Sequence, residues 1–178
     1  ATGVQLTDID AATSATVDGN LVTTISGTAA QVAAAAELDR LGTTLLKDDF
    51  GATISDTGSV AATDLTKITA RTSATIDATA VTKLTGTATE VVAAINDAQV
   101  NHDDNFLVTL TADSTAAAAD LKTIDTATSG IITATGVATI TGSISDINDV
   151  LGGETSQGNA GQQIDLDTTF TVTLSDTG

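Results

Sequence analysis

The hydrophobic positions of this chain follow one pattern that occurs three times. The pattern covers residues 6–36, 65–95 and 121–151, and the three copies align without gaps. Aliphatic residues and one glycine occupy equivalent places in every copy, namely Leu6, Leu65 and Leu121; Ile9, Ile68 and Ile124; Val17, Ile76 and Ile132; Val22, Val81 and Val137; and Gly27, Gly86 and Gly142. A gapless threefold match of this kind indicates a repeat architecture.

The copies divide the chain into three predicted repeats, residues 1–58, 59–114 and 115–178. The first repeat begins part of the way through a unit. Residues 174–178 nearly restate residues 54–58, which lead into the second repeat, so the third repeat is expected to end in the start of a further one. We therefore expect the chain to be a piece of a longer array.

A short helix is predicted near the start of each repeat. Leu6 and Ile9 lie three residues apart, as on one face of a helix, and their counterparts stand in alanine-rich sequence. Ser59 and Ser114 or Thr115 are the expected N-caps in the two later copies.

A second short helix is predicted after each repeated glycine, which relieves backbone strain at the corner between strand and helix. This helix covers residues 29–38, 88–97 and 143–151. Its expected N-caps are Thr28, Thr87 and Ser143. Glu90 lies three residues beyond Thr87, as in a capping box.

Short runs of threonine and branched aliphatic residues predict strands between the helices. In the first copy they cover residues 14–18 and 21–26. A further strand opens on each phenylalanine, at residues 50–54, 106–110 and 170–174, and these phenylalanines are expected in the core. A loop of variable length precedes each such strand, at residues 39–49, 98–105 and 152–169.

Each repeat is itself interpreted as two half-units of strand, turn and helix, roughly 20–30 residues long. A half-unit of this size cannot bury its own apolar face and must stack on its neighbours. The predicted fold is therefore an α/β repeat, a right-handed β-solenoid-like array with short helices. The alternative is three tandem small α+β beads.

The composition supports a thin, regular core. Hydrophobic residues make up 41% of the 178 residues, but they include only three Phe and no Trp, Tyr or Met. Small aliphatic side chains fill narrow layers better than a broad interior.

The charge limits the classes of partner. The net charge is −17, from 23 acidic and 6 basic residues, so nucleic acid and anionic membrane surfaces are not expected partners. No apolar run approaches the roughly 20 residues of a membrane span, so membrane insertion is not expected. The acidity is interpreted either as a solubilising coat or as a set of divalent-cation sites.

The candidate cation ligands are the acids and one amide that lie shortly before each phenylalanine strand. They are Asp48, Asp49, Asp103, Asp104, Asn105, Asp165 and Asp167. Clustered carboxylates with amide and main-chain oxygens suit Ca²⁺, which takes 6–8 oxygen ligands. No EF-hand or glycine-rich nonapeptide pattern accompanies them, so solvated acidic loops are the alternative interpretation.

Catalysis is not predicted. The chain has no Cys and its single histidine, His102, lies in an acidic loop, so no nucleophile–base pair can be assembled. Paired carboxylates alone could hydrolyse a glycosidic bond, but carbohydrate enzymes generally line their sites with aromatic rings, and this chain has only three Phe.

Several segments resemble tandem Thr/Ala/Asp-rich repeats of giant acidic surface or secreted proteins of marine bacteria and cyanobacteria. They include residues 55–65 (SDTGSVAATDL), 128–130 (TSG) and 84–88 (LTGTA). The resemblance covers essentially the whole chain and implies an extracellular or cell-surface location.

The predicted function is a non-enzymatic structural repeat module of an extracellular or cell-surface fibre or giant protein, acting as spacer or scaffold. Its expected partners are neighbouring repeats of the same chain or copies of itself. The alternative is an adhesin or carbohydrate-binding module that is stabilised by calcium and binds surface polysaccharide. The loop at residues 152–169 is the longest and most polar, and the alternative places partner specificity there.

Overall fold

The chain folds into helices and short parallel strands, and no sheet closes into a barrel in the described residues. The computed structural model describes residues 1–111, 115–154, 164–167 and 169–175. The chain forms two compact units, one of residues 1–82 with 96–103 and the other of residues 83–95 with 104–178. The predicted α/β class is confirmed.

The described part of the chain contains six helices. They are α1 (Gly3–Ala11), α2 (Ala29–Leu41), α3 (Ala62–Thr69), α4 (Ala88–Ile95), α5 (Ala118–Ala127) and α6 (Ile144–Glu154). None of these helices is long and apolar enough to cross a membrane.

The strands of the described residues are all short. They are β1 (Val17–Gly19), β2 (Thr24–Gly27), β3 (Thr44–Leu46), β4 (Gly51–Ile54), β5 (Ser59–Ala61), β6 (Ile76–Asp77), β7 (Lys83–Gly86), β8 (Val100–Asn101), β9 (Leu107–Leu110), β10 (Thr115–Ala117), β11 (Ile132–Ala134), β12 (Thr139–Gly142), β13 (Ile164–Leu166) and β14 (Thr171–Leu174). We call a helix together with the strands that follow it a coil. The first five coils contain two, three, two, three and two strands, and the sixth contains two described strands, so each predicted repeat corresponds to two coils.

In the first unit, strands of successive coils pair in parallel. The sheet order is β2-β4-β6-β8, and β1 pairs with β3. Ile76 pairs with Ala52 on one side and with Val100 on the other, so these two steps along the chain are equal in length. The step from β2 to β4, with Thr24 opposite Gly51, is slightly longer.

The second unit follows the same rule. Its sheets contain β7, β9, β11 and β13 in that order, and β10, β12 and β14 in that order. Val108 pairs with Ile132, a step as long as that from Ile76 to Val100. Ile132 also pairs with Ile164, which is a longer step along the chain. All these pairings are parallel, so each coil presents its strand edges to the next.

The turns at the strand–helix corners were predictable because they depend on single residues. Gly27 and Gly142 have φ of +151° and +157°, a region that L side chains rarely adopt. Thr28 caps α2, because its side-chain Oγ1 accepts a hydrogen bond from the main-chain N–H of Gln31 at 3.2 Å. The predicted capping box of α4 is confirmed, because Thr87 N–H donates to Glu90 Oε2 at 2.8 Å and Glu90 N–H donates to Thr87 Oγ1 at 3.2 Å.

The predicted caps of the first helix in the later repeats are wrong. Ser59 and Thr115 lie in strands β5 and β10, and α3 and α5 begin after Ala61 and Ala117, which make no side-chain cap hydrogen bond. Ser114 lies outside the described residues. Parallel pairing takes up the residues before these helices, so a strand leads directly into each helix without a capping turn.

The three variable loops also differ from the prediction, because each contains a short strand. These strands are β3, β8 and β13. They are too short to show an alternating pattern, and they are formed by pairing with other coils. The phenylalanine strands begin one residue later than predicted.

The core of the described residues consists mainly of aliphatic and alanine side chains. Its largest fully buried side chains are Phe50, Phe106, Ile25, Leu65, Ile68, Ile76, Leu121, Ile124, Ile132, Ile140, Val32 and Val91. Small alanines of α2 lie between them, including Ala35 and Ala36, so helix and strands approach closely. Phe50 and Phe106 are in the core as predicted, whereas Phe170 is only half-buried.

Candidate functional site

The predicted cation ligands lie beside or within the first strand of the second, fourth and sixth coils. Asp48 and Asp49 follow β3, and Asp103, Asp104 and Asn105 follow β8. Asp165 lies inside β13, where it pairs with Thr133, rather than in a loop, and Asp167 follows that strand. We call residues 47–50 and 102–106 the acidic turns.

The side chains of all seven residues are exposed. The Asp49 carboxylate pairs with Lys47 Nζ at 2.9 Å, and Asp167 Oδ1 accepts from Thr169 Oγ1 at 3.4 Å. Within the described ranges, no three His, Cys, Asp or Glu side chains are brought together as a metal site. A calcium site built from these residues therefore remains a prediction.

The first acidic turn is held by a threonine–serine pair of the following coil. Ser73 N–H donates to the Asp48 carbonyl oxygen at 2.8 Å. The buried hydroxyl of Thr72 donates to the Phe50 carbonyl oxygen at 2.5 Å and accepts from Ala74 N–H at 3.0 Å. These bonds fix the main chain of the turn and leave its carboxylates in solvent.

The same arrangement occurs in the second unit with the same spacing. Ser129 N–H donates to the Asp104 carbonyl oxygen at 2.8 Å. Thr128 Oγ1 donates to the Phe106 carbonyl oxygen at 2.5 Å and accepts from Gly130 N–H at 3.0 Å. In both turns, the side chain of the phenylalanine whose carbonyl oxygen the threonine binds is buried.

Sequence reasoning missed the role of these hydroxyl groups, although the chain contains a signal for it. The dipeptide Thr-Ser recurs at the offsets of the hydrophobic repeat, at residues 13–14, 72–73 and 128–129, and it occurs once more at residues 155–156. A hydrogen bond from a hydroxyl to a carbonyl group produces no periodic pattern of hydrophobic residues in the sequence. Only the recurrence of the dipeptide at the three repeat positions could have indicated this role.

A buried carboxylate of the first unit joins α2 to two other elements. The Asp39 side chain is 8% exposed and forms an ion pair with Arg71, whose Nε donates to Asp39 Oδ2 at 2.9 Å. Asp39 Oδ1 accepts from Leu46 N–H of β3 at 2.8 Å. Nearby, the fully buried Thr44 donates its hydroxyl to Asp10 Oδ1 at 2.9 Å. These acids serve packing between elements.

In the second unit, a lysine of α5 binds two acids of α6. Lys122 Nζ lies 2.6 Å from Asp149 Oδ2 and 3.4 Å from Asp146 Oδ1. The hydrogen bond to Asp149 is the main cause that raises the pKa of Lys122 above its ordinary value. The Ser143 hydroxyl, which donates to Asp146 at 2.8 Å, is the main cause that lowers the pKa of that carboxyl. All three side chains are largely solvated, so we assign them a modest energetic role.

A groove between α2 and α3 has a lining of alanine methyl groups and charged side chains. Its residues are Ala30, Ala33, Ala34, Glu37, Asp64 and Lys67. Lys67 Nζ already pairs with Asp64 Oδ1 at 3.2 Å. The lining combines no nucleophile with a base.

Two positions considered in the sequence analysis remain, His102 and the loop at residues 152–169. His102 is half-buried, with Nδ1 2.9 Å from the Asp103 carbonyl oxygen. Residues 155–163 and 168, which include most of the loop proposed for partner specificity, lie outside the described residues.

The chain matches no family model, no curated protein and no solved structure.

Proposed function

We propose that this chain is a non-enzymatic structural repeat module that acts as a spacer or scaffold in an extracellular or cell-surface fibre, and that it folds as a right-handed solenoid. The observation that carries the proposal is the parallel pairing of each coil with the next one along the chain. A chain built in this way lengthens by adding coils and needs no other partner to complete its core.

The pairing also favours a solenoid over separate beads. β4 of the first predicted repeat pairs with β6 of the second, and β9 of the second repeat pairs with β11 of the third. Beads would keep their strand pairs within one repeat. In addition, the first two described strands of every coil begin at the same separation along the chain. For example, Thr24 follows Val17 at the same distance in sequence as Thr171 follows Ile164. Because this spacing is constant, the strands of one coil can pair in register with those of the next coil.

The polar side chains support a structural role. The hydroxyl groups of Thr72 and Thr128, the carboxylate of Asp39 and the lysine at residue 122 all make contacts between coils. Polar groups used in this way stabilise the stack and are not available for a substrate. The net charge of −17 and the resemblance to acidic surface repeats support the extracellular setting.

Small-angle X-ray scattering of one, two and three fused copies tests the proposal. A single Ser between Gly178 and the next Ala1 restores the spacing of Gly58 to Val60. A continuous solenoid predicts a maximum dimension that grows in proportion to the number of copies. Growth nearer to the square root of that number, as for flexibly joined bodies, contradicts it. The matched control carries a long Gly/Ser linker at each junction.

A further inference from the structure

Strands β7, β9 and β11 of the second unit present an outward surface that carries no acidic residue. One apolar residue of each strand is buried at the same register, namely Leu84, Val108 and Ile132. The residues on either side of them therefore point outward. These outward residues are Lys83, Thr85, Leu107, Thr109, Ile131 and Thr133. We call these six residues the outer face.

An apolar pair lies at the centre of the outer face. Leu107 and Ile131 are 40% and 51% exposed. They are neighbours on adjacent strands, because Val108 pairs with Ile132 and the Val108 N–H donates to the Ile131 carbonyl oxygen at 2.9 Å. Covering two large aliphatic side chains that lie together in water is favourable in free energy.

Lys83 lies on one side of this pair and has no counter-ion. It is opposite Leu107 in the sheet and is half-buried. Within the described part of the chain, Lys83 forms no ion pair, although the chain has 23 acidic residues. The five other basic residues all form ion pairs with acids, namely Arg40, Lys47, Lys67, Arg71 and Lys122. The lysine of the outer face therefore differs from every other cation of the chain.

A carboxylate lies on the other side of the apolar pair. The strand order is β7, β9, β11 and β13, so β7 and β13 are equally far from the midpoint between β9 and β11. Asp165 of β13 is exposed and pairs with Thr133. Thr133 is in the row of Thr85, two residues along the strands from Lys83. Opposite charges thus flank the apolar pair at equal distances.

We infer that two copies of this chain form a side-by-side dimer in which the outer face of each copy packs on the outer face of the other. The two-fold axis runs parallel to the strands, between β9 and β11. Leu107 of each copy then faces Ile131 of the other copy, and Lys83 of each copy faces Asp165 of the other copy. Sheets pack about 10 Å apart, and the flexible lysine side chain reaches across the offset of two residues.

A second copy is the occupant that the charges favour. Each chain carries a net charge of −17, so two copies repel each other unless their contact brings no carboxylates together. The outer face meets this condition, and the two-fold axis converts its lysine and the flanking aspartate into two matched pairs. Parallel pairing occupies the edges of the strands and not their outward side, so further coils along the chain would leave the outer face uncovered. The inference uses pairings within the second unit alone and does not depend on the proposed spacer function.

Sedimentation equilibrium of the full chain tests the dimer. The contact is small, so we expect weak association that is measurable up to about 1 mM chain, in about 0.15 M NaCl to screen the net charge. Ile131→Ala should raise the dissociation constant about tenfold with little change in melting temperature, because the side chain is already half exposed. Ile144→Ala is the matched control, since it removes an equally exposed isoleucine from α6, and it should leave the dissociation constant unchanged. A native chain that is monomeric at about 1 mM, or equal effects of the two variants, overturns the inference.

Charge reversal tests the two-fold axis. Lys83→Glu places two carboxylates together and Asp165→Lys places two ammonium groups together, so each should raise the dissociation constant about tenfold. The double variant Lys83→Glu with Asp165→Lys should restore the native value. Net charge alone predicts a different result, because Lys83→Glu makes the chain more negative and Asp165→Lys makes it less negative. Stronger association of Asp165→Lys, or no restoration in the double variant, overturns the inference. Scattering from the fused copies can be measured below the concentration at which dimers form, so either result leaves the test of the spacer function intact.

Discussion

The buried hydroxyl groups of Thr72 and Thr128 act as connectors between coils. Each donates to the carbonyl oxygen of a buried phenylalanine and accepts from the main-chain N–H two residues later. Because Thr72 and Thr128 are buried, losing the hydroxyl removes a hydrogen bond from each of two main-chain groups at a site where water has little access. The geometry is repeated in both units, so the effect of removing it should be repeated as well.

We predict that Thr72→Val and Thr128→Val each lower the free energy of unfolding by about 1–3 kcal/mol. Valine keeps the shape of threonine and removes only the hydroxyl, so packing is little changed. Thr126→Val is the matched control, since that exposed hydroxyl only donates to the Lys122 carbonyl of its own helix. Urea unfolding followed by circular dichroism measures the difference. Equal small effects at all three positions would contradict the connector role.

Asp39 is the second residue whose contacts carry stability. Asp39→Ala removes the partner of Arg71 and the acceptor of Leu46 N–H. The carboxylate is buried but the Arg71 side chain is 32% exposed, so we expect a loss of about 2 kcal/mol, below the range for fully buried pairs. Glu37→Ala, which breaks the exposed pair with Arg40 on the same helix, should have a much smaller effect, because both side chains are solvated. Thermal unfolding of the two variants makes the comparison, and equal losses would contradict it.

At the scale of elements, the helices and their corners were predictable, and the shortest strands were not. The Leu–Ile pairs, the glycine before the cap and the capping box of Thr87 are local features that sequence displays directly. β3 and β8 depend on pairing with residues of another coil, which are distant in the sequence. Ser59 likewise lies in a strand, β5, and not at a helix cap. The acidic turns were located correctly, but the hydroxyl groups that hold them were not identified.

Two glycines of the last repeat should respond in opposite ways to alanine. Gly142 has φ of +157°, and a Cβ there would lie 3.1 Å from the Ala118 Cβ, so Gly142→Ala should lower stability by about 1–2 kcal/mol. Gly152 lies in α6 with no atom within 4 Å of an added Cβ, so Gly152→Ala should raise stability by about 0.5–1 kcal/mol. Melting temperatures of both variants report the sign. A gain from both would show that the corner tolerates a side chain.

At the scale of the whole molecule, the charge is the property that most affects behaviour. Twenty-three acids against six basic residues give mutual repulsion that the folded state must tolerate. Several of the acids are neutralised locally, as Asp146 and Asp149 are by Lys122. The acids of the turns have fewer cationic neighbours, and they are the groups through which salt and divalent cations should act.

We predict that the melting temperature rises with NaCl, and that Ca²⁺ adds nothing beyond its contribution to ionic strength. The carboxylates of the acidic turns are exposed, and that of Asp49 already pairs with Lys47, so we expect Ca²⁺ to act on these turns as a screening ion. Thermal unfolding in Ca²⁺, in EDTA, and in NaCl of equal ionic strength measures the difference.

A specific site would instead raise the melting temperature at cation concentrations far too low to screen charge. Asp103→Asn and Asp104→Asn would then abolish that rise, while Asp18→Asn, an exposed acid outside the turns, would leave it intact. In that case the loops bind calcium, and the interpretation of the acids as a solvated coat is wrong.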